Sequence, residues 1–277
     1  MKETEIKKSV RERYGRLAVE EKSCCNKSSS SCCNSTVSTR DISKNIGYSD
    51  EELNTVPEGA NLGLGCGNPV AMASLKEGET VLDLGSGAGF DCFLAANKVG
   101  QRGRVIGVDM TPEMLEKARE NARKGNYTNV EFRLGEIENL PVADNSADII
   151  ISNCVINLAP DKKRVFKEAF RVLRPGGRLM VSDIVLPKAL PEKIKNSIEA
   201  YVGCIAGAWL ESDYLEAIET AGFQDVKIVG ESTFAIVDIF SSPKVQTVAN
   251  SLNLTTEKAG ELAASVKSIK VSGIKPK

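Results

Sequence analysis

Val81-Leu82-Asp83-Leu84-Gly85-Ser86-Gly87-Ala88-Gly89 is the stretch on which the fold turns. Its first four residues read as a strand, its glycines as a tight loop, and Phe90 to Val99 beyond it as a helix. Glycines at that junction let the backbone approach a ligand closely, at the carboxyl end of the strand. Working outward, Arg104 to Asp109 reads as a second strand, and Thr111-Pro112-Glu113 opens the next helix with proline in its first turn. Val130 to Leu134 and Asp148 to Asn153 read as strands three and four. A helix from about Asp161 to Leu173 stops before Pro175-Gly176-Gly177, and Arg178 to Val185 reads as strand five. Strands alternating with helices predict an α/β fold with a parallel sheet covered by helices on both faces.

The flanks are less regular. Ile6, Val10, Tyr14 and Leu17 recur at helical spacing within residues 3–22. Residues 23–40 carry Cys24-Cys25, a run of four serines and Cys32-Cys33 without apolar periodicity, and read as a flexible loop. Ser49-Asp50-Glu51-Glu52 fits a capping box. Gly63-Leu64-Gly65-Cys66-Gly67-Asn68-Pro69 demands irregular backbone and is expected to expose Cys66. Beyond Pro191 the sequence predicts a helix holding Tyr201 and Cys204, another near Tyr214 to Ala221, and strands near Val226 and Ile236. A helix follows from Leu254-Thr255-Thr256-Glu257 onward, with a strand within Val266 to Ile274. Three regions follow: an N-terminal helix with a Cys-rich loop (1–60), the sheet domain (61–190), and a smaller C-terminal α+β region (191–277).

Length and composition suit one large domain with an appendage: 277 residues, 42% hydrophobic and 26% charged. Thirty-six basic against 37 acidic residues leave a net charge of −1, which argues against a nucleic-acid partner. The N-terminus is charged with no apolar run behind it, and no segment approaches the roughly 18 apolar residues of a membrane span. The expectation is a cytoplasmic monomer without a membrane partner. In a reducing compartment, eight cysteines point to thiols for binding or redox chemistry rather than structural disulfides. Histidine is absent. That excludes Ser-His-Asp hydrolysis, Cys-His proteolysis and His-ligated zinc, and favours a reaction that needs no proton abstraction.

A dinucleotide loop also places an acidic residue at the end of the second strand, but its fingerprint is G-x-G-x-x-G. Here the spacing is G-x-G-x-G, with Phe90 in the third glycine's place, and Asp83 precedes the first glycine. A carboxylate there suits a cationic amino-acid ligand, so the loop is read as a site for S-adenosylmethionine. The loop with Asp109 resembles the class I S-adenosylmethionine-dependent methyltransferases, whose pattern residues 60–185 follow in order. The resemblance implies a Rossmann-like class I methyltransferase sheet. It also implies that Asp83, Gly85, Ser86, Gly87 and Gly89 face the methionine portion. Asp109 would hold the ribose, Met110 would pack near the adenine with Glu136 and Ile137 flanking it, and Asn153 joins the cofactor set.

Strand four ends on Ser152-Asn153-Cys154. In this fold a strand end faces the cleft beside the cofactor's methyl group, so Cys154 reads either as a substrate-facing thiol or as a small core residue. Cys204 is open to the same two readings, and Cys92 reads as core. The pairs Cys24-Cys25 and Cys32-Cys33 lack the Cys-x-x-Cys spacing of structural zinc, and without histidine only an all-sulfur site would remain. Three motifs then resemble the arsenite S-adenosylmethionine methyltransferases over about residues 5–240. They are Asn61-Leu62-Gly63-Leu64-Gly65-Cys66-Gly67-Asn68-Pro69, Ser152-Asn153-Cys154-Val155-Ile156-Asn157-Leu158, and Tyr201-Val202-Gly203-Cys204-Ile205-Ala206-Gly207-Ala208.

By that resemblance Cys66, Cys154 and Cys204 bind arsenic, and the C-terminal region is an arsenic-binding cap. The substrate would be arsenite or its thiol conjugates. An N-terminal cysteine among Cys24, Cys25, Cys32 and Cys33, with Cys32 and Cys33 carried forward, would share a disulfide with Cys66. An external reductant of the thioredoxin or glutathione type would reset it. Trivalent arsenic is soft and prefers sulfur ligands, and its lone pair needs no base to attack a methyl group. Two other functions remain in view: a methyltransferase for a quinone-type carbon or oxygen acceptor, and a non-catalytic thiol protein for metalloid binding or redox sensing.

Overall fold

Apolar runs in the sequence become the strands of one sheet: β1 (Thr80–Leu84), β2 (Arg104–Asp109), β3 (Val130–Leu134), β4 (Ala147–Asn153), β5 (Leu173–Val185), β6 (Gln224–Ser232) and β7 (Lys267–Ile274). The computed structural model describes residues 2–19, 38–190, 195, 197–232 and 266–277. The strand order is β3-β2-β1-β4-β5-β7-β6. β1 to β5 run parallel, while β7 lies antiparallel between β5 and β6. The sheet is therefore parallel only through β5, and two strands from the 191–277 region extend it.

β4 explains why the centre is secure. Ile149, Ile150 and Ile151 are wholly buried, because a strand between parallel neighbours packs helices on both faces. Each such side chain contributes roughly 1.5–3 kcal/mol through burial. The covering helices include α1 (Glu3–Val19), α2 (Thr39–Asn45), α3 (Asp50–Asn54), α4 (Pro69–Met72), α5 (Phe90–Val99), α6 (Pro112–Lys124) and α7 (Lys162–Val172). Two more follow β5: α8 (Ile198–Val202) and α9 (Glu211–Thr220). α1 packs against α6 and α8, so it bridges the first half of the sheet to the chain that follows β5.

Several expectations hold to the residue, including α5, β2, β3 and the Ser49–Glu52 capping box. Others change. β5 begins at Leu173, not Arg178: Ala147 pairs with Leu173 and Ile149 with Arg178, so Pro175-Gly176-Gly177 forms an irregularity inside the strand rather than a break before it. α2 starts within the stretch read as loop; its signal was the Ser38–Asp41 capping box. α8 stops at Val202, and Cys204 lies beyond it at φ +65°, not on the helix. Gly203 intervenes there, and the chain closes the helix with Ile205 and Ala206 N–H donating to Ala200 O, each at 3.0 Å. The expected strand near Ile236, the helix from Leu254 and the cysteines Cys24, Cys25, Cys32 and Cys33 lie outside the described residues. Among the described residues no helix is long and apolar enough to cross a membrane.

Candidate functional site

The carboxyl ends of β1, β2 and β4 open into one cleft, where the connection from β1 leads to β2 on one side and that from β4 to β5 on the other. It encloses about 1100 Å³ of space open to solvent. Gly85, at φ +69°, brings the backbone to its floor, and a side chain there would overlap Val155. Gly87 N–H and Thr111 N–H donate to Asp109 at 2.9 and 2.8 Å, which fixes that carboxylate at the end of β2. Cys92 donates its thiol hydrogen to Asp83 at 3.2 Å. Cys92 is thus a buried structural thiol, as read from sequence, with an added hold on a cleft carboxylate.

Three aspartates face this space and all three resist ionisation. Burial, reinforced by the neighbouring Asp91, pushes Asp83 well above the usual carboxylate range. Burial also raises Asp109 against the pull of its backbone donors. It lifts Asp91 to about 6, opposed by hydrogen bonds from Tyr48 and Asn153. The cleft cation, Lys7, is engaged elsewhere, by Glu3 and Glu136 at 2.8 Å and Glu138 at 3.2 Å. Asp83, Asp91 and Asp109 have no salt bridge among the described residues, and the buried Ser86 hydroxyl has no hydrogen-bond partner. Anionic groups without a cation, an orphaned hydroxyl and a glycine floor fit a ligand with a cationic amino-acid end and a ribose. S-adenosylmethionine has that chemistry.

Of the cofactor residues expected from sequence, Asp83, Gly85, Ser86 and Gly87 line the cleft. Asp109, Met110, Ile137 and Asn153 line it too. Gly89 and Glu136 do not. Gly89 is the N-cap of α5 at φ +92°, and a Cβ there would meet Phe93 and Phe132 at 2.8 Å. Glu136 turns outward to accept from Lys7, whereas Glu138, buried two residues on, faces the cleft. The sequence reading missed Glu138, Asp91, Tyr48 and Lys7. An acidic residue in the first turn of the helix after the glycine loop was the available signal for Asp91.

Three thiols cluster where Cys154 meets the cleft. Cys154 follows β4 at φ +60°, a conformation that non-glycine residues rarely hold, and it lines the cleft. Its N–H donates to Ser182 O at 2.8 Å. The Cys204 thiol donates to Cys154 O at 3.2 Å, and the Cys66 thiol to Ser182 O at 3.6 Å. All three are free and buried. The expected exposure of Cys66 is thereby corrected: it is 1% accessible. Its two glycines let the loop lie flat on the strand ends, where a Cβ on Gly65 would sit 2.6 Å from Asn153 Nδ2. Hydrogen bonding with the Cys204 and Cys66 thiols, then burial, holds the Cys154 thiol well above its ordinary pKa.

Asp183, from β5, joins them. A carboxylate oxygen of Asp183 and the sulfurs of Cys66 and Cys154 all lie within 4.8 Å of one another. Burial raises Asp183 to about 7, against donation from Ile184 N–H and the charge of Lys162. Lys162 is buried beside Trp209 and lowered to about 8 by burial. Tyr14 reaches the cluster from α1. The residue is partly buried, and its phenol is raised, first by burial and then by Cys204 and Cys154. The arrangement can therefore bind a soft, thiol-seeking centre next to a site for a cationic cofactor.

Residues 75–222 match the methyltransferase domain family. The chain is 51% identical over 241 residues to the arsenite methyltransferase of Halobacterium salinarum, an alignment covering 84% of this chain and 62% of that protein. Identity to the human arsenite methyltransferase is 34% over 247 residues, covering 85% and 63%. The chain thus spans somewhat under two thirds of the length of these curated relatives. Among solved structures, the arsenic(III) S-adenosylmethionine methyltransferase of Chlamydomonas reinhardtii superposes with a TM-score of 0.62 at 31% identity. That match covers 86% of this chain and 73% of the other.

Proposed function

This chain belongs to the S-adenosylmethionine-dependent arsenite methyltransferases, and on that premise we propose that it methylates trivalent arsenic held by Cys66, Cys154 and Cys204. The observation that carries the proposal is the clustering of buried Cys66 and Cys204 around Cys154, which itself lines the cleft shared with Asp83, Asp91 and Asp109. S-adenosylmethionine, when bound, supplies an electrophilic methyl group on a sulfonium. Asp83 and the glycine loop hold its amino-acid end, and Asp109 its ribose.

Arsenic taken up as arsenite or a thiol conjugate exchanges its oxygen or sulfur ligands for the three protein thiols. Because the raised Cys154 thiol is protonated at neutral pH, its proton leaves as arsenic binds. Three sulfurs leave arsenic its lone pair, which is the nucleophile, and no residue has to act as a base on it. The protein's contribution is proximity and orientation. A carbon or oxygen acceptor would leave three buried thiols beside the cleft without a task. A purely binding protein would have no use for the adjoining cofactor cleft.

Methylation carries arsenic to the pentavalent state. Return to the trivalent state takes two electrons, supplied by two thiols that close a disulfide: Cys66 and one of Cys24, Cys25, Cys32 or Cys33. A reductant of the thioredoxin or glutathione type, one dithiol or two monothiols per disulfide, then reopens it. The test is incubation of the full chain with arsenite, methyl-labelled S-adenosylmethionine and a thiol reductant. Methylated arsenic is the expected product; its absence from folded, cofactor-binding protein contradicts the proposal.

A further inference from the structure

We propose that Cys66, Cys154 and Asp183, with Cys204 beside them, also form a site for a thiophilic divalent cation of the zinc or cadmium class, occupied to the exclusion of arsenic. The three ligand atoms lie within 4.8 Å of one another and all three residues are buried. A tetrahedral zinc, roughly 2.3 Å from sulfur and 2.0–2.2 Å from oxygen, spaces its ligands roughly 3.4–3.8 Å apart. The trio therefore needs to close by at most about 1.4 Å, which side-chain rotations supply. Cys204 lies outside that trio; its thiol, which donates to Cys154 O at 3.2 Å, would turn toward the trio to supply a fourth donor.

Asp183 is prepared for such a role. One carboxylate oxygen accepts from Asn157 Nδ2 at 2.8 Å and from Ile184 N–H at 2.9 Å, and the other accepts from the Tyr214 hydroxyl at 3.3 Å. Donors of this kind orient a ligating carboxylate. Lys162 lies close enough for its charge to act on both Asp183 and Cys204, which offsets part of the negative charge of a four-ligand site. Trivalent arsenic has no use for the oxygen. It takes three sulfurs, and its lone pair fills the direction a fourth ligand would need. A divalent cation of the zinc class fills four positions. Asp183 thus separates the two occupants, and a cation seated there blocks arsenic from all three thiols.

The cation site stands on the side-chain cluster alone; its exclusion of arsenic rests on the arsenic reading above. The test uses Cd²⁺ alone as the probe, on the full chain with Cys24, Cys25, Cys32 and Cys33 all changed to Ser, so that those thiols do not contribute. The readouts are the ultraviolet sulfur-to-cadmium band and the binding isotherm. One Cd²⁺ per chain is expected, displaced by arsenite. Asp183→Asn, taken on protein that still binds S-adenosylmethionine, should weaken Cd²⁺ about 10- to 100-fold and leave arsenite affinity within about threefold. Asp183→Ser replaces it should the amide not fold, with the same expectation. Asp183→Glu, which keeps the oxygen donor, should retain most of the affinity. Cd²⁺ affinity indifferent to Asp183 would overturn the site. Arsenite that binds without displacing Cd²⁺ would overturn the exclusion and leave the cation site standing.

Discussion

Asn153 accepts the backbone N–H of Cys66 through its side-chain oxygen at 3.0 Å. Its amide nitrogen donates to Asp91 at 3.0 Å and to Gly67 O at 2.8 Å. A residue expected from sequence to touch the cofactor therefore also ties the cofactor cleft to the loop that carries one of the thiols.

Asn153→Ala should damage both sites at once. It leaves the Cys66 N–H without its acceptor and Asp91 without one of its donors, a loss of about 1–3 kcal/mol. Thermal melts and separate titrations with arsenite and S-adenosylmethionine check this. Both affinities should fall; normal arsenite affinity in the folded variant would show that the tether does not position Cys66.

Gly85→Ala and Gly78→Ala form a contrast. Both glycines have positive φ, +69° and +86°, but a side chain at Gly85 would collide with Val155, while Gly78 faces open space. Gly78→Ala should cost about 1–2 kcal/mol, the backbone penalty alone. Gly85→Ala should cost more and abolish S-adenosylmethionine binding. Equal melting shifts for the two would contradict the cleft geometry.

pH acts through Asp91. In the folded protein it keeps its proton up to about 6, whereas an unfolded aspartate releases it near 3.9. The raised value favours the folded protein below that unfolded pKa. This contribution is lost as pH rises through about 6, on the order of 2–3 kcal/mol in all. A cationic ligand reverses the preference by favouring the ionised carboxylate. Affinity for S-adenosylmethionine should therefore climb between pH 5 and pH 7, and the climb should shrink in Asp91→Asn, with Asp83 and Asp109 carrying what remains. A flat profile in the unsubstituted protein would argue against the carboxylates as the cation's partners.

Lys7→Met tests the seat of α1. Lys7 meets Glu136 and the buried Glu138, so its loss strands Glu138 without its cation, at a cost of about 1–3 kcal/mol. Weaker cofactor binding is expected alongside a lower melting temperature. Restoration of both by Glu138→Gln in the same chain would identify the stranded carboxylate as the cause.

How far the sequence could be read depended on how local the cause was. β2, β3 and α5 are legible because period, glycines and proline mark their ends within a few residues. Cys154 was placed by its position at the end of β4. The burial of Cys66 was not legible, since its cover comes from the ends of β4 and β5, far away in sequence. Nor was the positive φ of Cys204, which follows from how α8 closes on Ala200. Glu136 looked like the cleft acid by position, yet it pairs with Lys7 outside the cleft lining, while Glu138, which Lys7 also meets, lines the cleft. Asp183 carried no motif at all; the pairing of β4 with β5 brings it to the thiols.

The central claim is that three thiols hold arsenic beside the methyl donor, and X-ray absorption at the arsenic edge addresses it most directly. Protein loaded with arsenite at one equivalent should show three sulfur neighbours around arsenic, and Cys154→Ser should reduce that number while S-adenosylmethionine binding persists. An oxygen-dominated shell, or three sulfurs unchanged by Cys154→Ser, would contradict the account.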